Sequence, residues 1–321
     1  MRKNLVSCII QQGLRYFKIL GILTCLLLSN LVKAELTGVS VVVLMSSDAA
    51  VYQKALSTLR DEIDNERAAK HVLMDVYLSE AQFIAEHKLL LHADLIVTVG
   101  SAAANFALKE LQDKNIISVF ITRNAYQSII ADSNLTNRTS AIFIDQPVKR
   151  LMNLAGLLSV GQDEFNVGFL SDRKIEYSKS NNKINVNAKE LSPSDNPTQI
   201  IEPLIINNDV LVVLPGGSYF NQLVARLVLQ LSMKNKKPVI GFSKKYTTAG
   251  ALLSLYSSPQ DVGLDSARIV NAWLADQKYK LPLPQEGKFY SIELNQKISR
   301  RLNKSLDVEK LHKQLQQLAG D

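Results

Sequence analysis

The chain has 321 residues, 46% of them apolar and 21% charged, a balance that suits a globular protein of two domains or one large one. Its formal charge of +7 comes mostly from the N-terminus: Arg2, Lys3, Arg15, Lys18 and Lys33 stand in the first 34 residues, which hold no acidic residue. The remainder has 32 basic against 30 acidic groups, a net +2, and no Lys/Arg run with interleaved aromatics, which argues against a nucleic-acid partner.

The first segment has the three parts of an export signal. A basic region ends at Lys18, an apolar stretch runs over 19–28, and Val32-Lys33-Ala34 offers small residues for cleavage after Ala34. A retained membrane anchor and lipidation at Cys25 are the alternatives, and the short apolar run and Thr24 before the cysteine weigh against them. Cys8 and Cys25 are the only cysteines, so the mature chain would have no thiol for a disulfide, a nucleophile or a metal. The sequons at Asn134, Asn137 and Asn303 match a loose pattern and are read as chance.

The mature chain alternates strand and helix. An unbroken apolar run over 39–45 predicts a strand buried on both faces. Ser46-Ser47-Asp48 predicts a turn and helix cap, after which Tyr52, Leu56, Leu59 and Ile63 recur at helical spacing. Strands follow over 72–78, 94–99, 116–121 and 140–144, with helices near 80–91 and 101–112. The pattern restarts at a strand over 166–170, then a polar stretch over 173–183, a strand over 184–191, and a helix over 198–206 opened by Asn196-Pro197.

The segment "NDVLVVLPGGSYFNQLVARLVLQ" then repeats the earlier "ADLIVTVGSAAANFALKELQ": an acidic residue, an apolar strand, a Gly/Ser turn and an amphipathic helix. The copy extends into the next strand, over 239–242, and lies about 115 positions on, too long a period for a solenoid and suited to two similar lobes. After Tyr246 the sequence predicts a strand in "GALLSLYSS", a helix over 259–277, an extended "LPLP", a strand in "KFYSIELN" and a closing helix from Gln296. Such alternation predicts βαβ units on parallel sheets.

The signposts "PVIGFS", "AGAL", "YSSP", a helix with Gly263 near its start, "LPLP" and "IELNQ" follow in order after "ADLIVTVGSAAA", "SAIFIDQP" and "PGGSYFN". In this series the chain resembles the uncharacterised ABC-transporter substrate-binding family related to tryptophan/tyrosine-binding periplasmic proteins, over about residues 38–302. Residues 61–71 depart from the pattern, lacking the Gly-rich turn that usually precedes the second strand. The resemblance implies an α/β fold of the type I periplasmic-binding class: two doubly wound parallel-sheet lobes with three crossovers, a Venus-flytrap that holds ligand between the lobes. It implies one lobe of 35–146 plus 254–283, a second of 147–253 plus 284–303, and a helical tail over 304–321. It also implies a monomer without cofactor, working with an ABC permease of the inner membrane or with a membrane sensor.

In open parallel sheets ligands bind outside the carboxyl ends of the strands, and the candidate ligand-binding residues stand there. Ser101 reads as a helix cap, with or without a ligand contact, and Ser46 and Ser243 share that ambiguity. Gly216 and Gly217 make a tight turn or admit a ligand to the backbone. Arg123 is either solvated surface or a fork for a carboxylate. Asp145 and Gln146 sit at the first crossover, as hinge or as contact, and Phe242 and Tyr256 are core aromatics or stacking rings.

Enzyme signatures are missing from the sequence. The histidines (His71, His87, His92, His312) are scattered; there is no G-x-S-x-G elbow, no P-loop lysine and no H-E-x-x-H. The expectation is a periplasmic solute-binding protein, not an enzyme, that takes an amino acid or other small carboxylate and delivers it to the permease. The alternatives are a ligand-sensing partner of a membrane receptor or histidine kinase, and a ligand-free regulator of cell-envelope enzymes.

Overall fold

A computed structural model describes residues 40–63, 72–79, 89–131, 138–159, 162–175, 184–216, 220–276 and 278–319. The expected export segment, both cysteines, His71, His87, Gly217 and the sequons at Asn134 and Asn137 lie outside the described residues. Among the described residues no helix is long and apolar enough to cross a membrane.

The first sheet takes β1 (Ser40–Met45), β2 (Val72–Tyr77), β3 (Leu95–Val99), β4 (Asn115–Ile121), β5 (Thr139–Phe143) and the short β11 (Gln285–Glu286), in the order β11-β5-β4-β3-β1-β2. All its pairings are parallel. Its helices are α1 (Ala50–Glu62), α2 (Ser101–Glu110) and α3 (Arg123–Ile130). The second sheet takes β6 (Phe165–Ser171), β7 (Ile184–Glu190), β8 (Val210–Val213), β9 (Val239–Gly241), β10 (Leu253–Tyr256) and β12 (Ser291–Leu294), in the order β12-β10-β9-β8-β6-β7. Only β12 runs antiparallel. Here the helices are α4 (Val148–Gly156), α5 (Pro197–Ile206), α6 (Gln222–Lys234) and α7 (Lys244–Ala249). The chain then adds α8 (Pro259–Ala275), α9 (Gln296–Arg301) and α10 (Val308–Ala319).

The apolar runs are unbroken because each central strand is covered on both faces. In β1, Val41, Val43 and Met45 enter a core shared with α8, while Val42 and Leu44 enter the opposite core with α2. In β8, Val210 and Val212 face one core of the second lobe and Leu211 and Val213 the other. Asn196 caps α5 through Thr198 N–H at 3.1 Å, with Pro197 at its first position as the sequence predicts. The tail helix α10 seats Leu311 and Leu315 in the second lobe's core.

The lobe boundaries differ from expectation at two of the crossovers. Residues 254–256, expected in the first lobe, pair with β9 and β12 in the second sheet, because β10 simply extends that sheet by one parallel strand. Residues 285–286, expected in the second lobe, pair with β5 in the first. The excursion between them is α8, whose Val262, Ile269 and Trp273 are buried in the first lobe's core.

Gly263 explains how α8 comes so close to α1. A Cβ there would stand 2.6 Å from Thr58 Cβ and 2.7 Å from the Ala55 carbonyl oxygen, and backbone cannot yield as a side-chain tip can. Gly263→Ala should therefore destabilise the protein by about 1–3 kcal/mol through overpacking, despite the better helix propensity of alanine. Urea unfolding would show it as a lower midpoint; an unchanged midpoint would mean the two helices do not pack this tightly.

Candidate functional site

Each sheet reverses its order of strand addition once, between β1 and β3 in the first and between β6 and β8 in the second. At such switch points the loops part and leave a crevice. In the first lobe the crevice is edged by Ser46, Gly100 and Ser101. Ser46 Oγ accepts the Ala103 N–H at 2.9 Å, so the orphan donor of α2 is capped from the neighbouring strand end. Ser101 is thus not the cap: Gly100 holds that position with φ +93°, and Ser101 is the exposed first residue of the helix. A Cβ on residue 100 would lie 2.6 Å from Ser46 Oγ, so both the dihedral and the space require glycine. Nor does the 46–48 turn cap α1, whose N-cap Ala49 has no side-chain bond.

Arg123 opens α3 from the carboxyl end of β4. Its N–H donates to Asp145 Oδ2 at 2.7 Å, its guanidinium pairs with Glu286, and it lies 4.3 Å from the centre of the Phe143 ring. Burial pushes the Asp145 carboxyl above its ordinary 3.8, against the pull of the Arg123 N–H and of the Arg173 and Arg123 charges. Beside Asp145 the crossovers are bonded together. Gln146 Nε2 donates to Ser257 Oγ at 2.9 Å, joining the first to the second. Arg150 donates to Gln146 Oε1 at 2.7 Å and to the Gly287 carbonyl at 3.1 Å, joining the first to the third.

A cavity of about 410 Å³ opens against this hinge, lined from both lobes by Arg123, Asp145, Gln146, Arg173, Pro215 and Glu286 among others. That volume suits a small solute. Lys149 and Lys174 also line it, so four cationic side chains face two carboxylates. Among the described residues no three His, Cys, Asp or Glu gather as a metal site.

The structure divides the sequence-predicted residues. Arg123, Asp145 and Gln146 line the hinge cavity. Gly216 stands beside Pro215 at its edge, where a Cβ would meet the Phe220 ring at 2.8 Å and Asp172 Oδ2 at 3.0 Å. Phe242 and Ser243 instead line a separate cavity on the second lobe, and Ser243, though the N-cap of α7, makes no side-chain cap bond. Tyr256 is half-buried at the end of β10 opposite Ser291; burial and the carboxylates of Glu293 and Asp261 push its phenol up, and it lines neither cavity. Sequence reasoning missed Arg173 and Glu286. Arg173 follows the β6 strand end and was readable by the same strand-end rule that selected Arg123. Glu286 meets Arg123 across 163 residues of sequence, and no local pattern announces it.

No protein-family model matches the sequence, and no curated protein does. Solved structures do. The chain is similar to a ligand-free, open substrate-binding protein with adhesive properties from Clostridium difficile, at TM-score 0.60 and 15% identity over 84% of this chain and 96% of that one. It is similar to a conserved domain protein from Vibrio cholerae at TM-score 0.50 and 14% identity, over 86% and 98%. An ABC domain in complex with L-Trp from Streptococcus pneumonia aligns at TM-score 0.49 and 15% identity, over 86% and 98%. The chain has the type I periplasmic-binding fold. In the cleft of that fold, a carboxyl raised by burial contributes stability that is full below its ordinary value and lost as pH rises through its raised one. Wild type should therefore lose stability relative to Asp145→Asn as pH rises from below the ordinary carboxylate value. Paired urea titrations across that rise test this, and a constant difference would overturn the burial account.

Proposed function

We propose that this chain is an exported solute-binding protein that takes an amino acid or another small carboxylate between its lobes and passes it to an ABC permease. The observation that carries the reading is the charge of the hinge cavity. Arg123, Arg173 and two lysines can receive a carboxylate, while Asp145 and Glu286 can receive an ammonium group. A zwitterion answers both signs. Because the mature chain is nearly neutral, long-range attraction is weak and selectivity comes from these short contacts. Binding without chemical conversion is the corresponding role for the site.

A thermal-shift screen of amino acids, nucleosides, sugars and small carboxylates identifies the solute, and calorimetry on Arg123→Ala then tests the clamp. The variant should lose about 1.5–3 kcal/mol of binding, the worth of a charged hydrogen bond. Its empty form should melt close to wild type, since the Arg123–Glu286 pair is about 40% exposed and such pairs contribute only about 0–1 kcal/mol. Equal affinity in variant and wild type would remove Arg123 from the site.

Export is tested separately. Mass spectrometry of the protein recovered from the periplasm should find Glu35 as the first residue. An intact Met1 in the membrane fraction would replace cleavage with an anchor.

A further inference from the structure

The second lobe carries a groove of about 760 Å³ that the solute-binding reading does not use. Its floor is one face of α6, where Ala225, Leu229 and Met233 recur at four-residue intervals. Its facing wall is Phe242 and Tyr246, whose ring centres are 4.9 Å apart, and Phe220 closes the end nearest the cleft. Burial pushes the Tyr246 phenol up to about 12, so that wall stays neutral. The rim is basic. Arg226 and Lys245 line it, both exposed, and no Asp or Glu is among the described lining residues. Neighbouring lysines are neutralised, Lys234 by Glu202 and Lys244 by Glu293, but among the described residues neither Arg226 nor Lys245 has such a partner.

An apolar trough whose edge carries cations that pair with no described carboxylate suits an amphipathic anion. We propose that this groove is a second ligand site, for an amphipathic anion: a carboxylate on an apolar body such as a medium-length acyl chain. The volume lies within the range of about 300–1,000 Å³ that small-molecule sites occupy. Charge selects against the other occupants. The chain's own first 34 residues bear five basic groups and no acid, the same sign as the rim. A second copy placed symmetrically would bring its own Arg226 and Lys245 to the same edge.

Calorimetry on the full chain with dodecanoate and with dodecylamine, both below their micellar concentrations, tests the site. Dodecanoate should bind once per chain and dodecylamine should not. Arg226→Gln with Lys245→Gln, both at exposed positions that pair with no described carboxylate, should weaken dodecanoate about tenfold or more with the melting temperature kept. Leu229→Glu, which sets an anion in the floor, should abolish binding. The proposal is overturned by any of four results: no dodecanoate binding at millimolar concentration, equal binding of the amine, unchanged affinity in the double glutamine variant, or a dimer in sedimentation that Leu229→Glu dissolves.

Discussion

The carboxamide of Gln146, only 8% exposed, gives a hydrogen bond to one crossover and takes one from the arginine that holds another. Buried amide and guanidinium groups are costly to leave unpaired, by about 1–3 kcal/mol each and more when charged. These bonds couple the three crossovers to one another through Gln146 and Arg150. Arg150 extends the set: its guanidinium lies 4.5 Å from the centre of the Tyr290 ring, and the other face of the system carries His312 of α10, stacked at 4.8 Å. On the first-lobe side Asp265 accepts the Phe289 N–H at 3.0 Å, anchoring the third crossover to α8. Asp261, in the first turn of the same helix, accepts from Ser258 and from Ser291 at 2.6 Å each. These bonds gather the three crossovers beside the hinge cavity, which Gln146 itself lines.

That placement explains the polarity of the cleft. Sheets covered on both faces bring turn residues, helix N-termini and the charged groups that follow them to their strand ends, and here these stand beside apolar residues such as Leu214 and Pro215. Ser46 shows the consequence. Its hydroxyl is taken by the Ala103 N–H, so the first lobe's switch point is already satisfied and leaves less for a ligand than the sequence suggested. The charges at the crossovers then set the character of the site, and they come as a mixture of signs held close together.

The repeated strand-turn-helix made the two lobes legible in the sequence, because its apolar runs report burial on both faces and its period is that of a lobe. Gly263 was legible as a signpost, and its reason is the approach of α8 to α1. The returns of the chain were less so. Residues 254–256 and 285–286 changed sides relative to expectation, since a strand's sheet depends on its hydrogen-bonding neighbour and not on its own composition. Of the site, Arg123, Asp145 and Gln146 were found by the strand-end rule and do share a cavity. Ser101 was misread as a cap because the true acceptor comes from 57 positions earlier in the chain. Phe242 and Ser243 obey the same rule yet belong elsewhere, because α7 turns them toward α6 and away from the hinge.

Gly216 stands at the point where these two cavities approach each other. Leu214 and Pro215, just before it, line the hinge cavity; Phe220, four residues after it, closes the groove. The missing side chain lets the Phe220 ring lie against the turn, within 2.8 Å of where a Cβ would be. Its φ is not positive, so the requirement is one of space and not of dihedral. A bulkier residue there has two ways to relieve the clash, by moving the ring into the groove or by moving the turn into the cleft, and Asp172 at 3.0 Å obstructs the second. The glycine thus keeps open a groove to which it contributes no atom, and the turn that shapes the cleft also sets the groove's end.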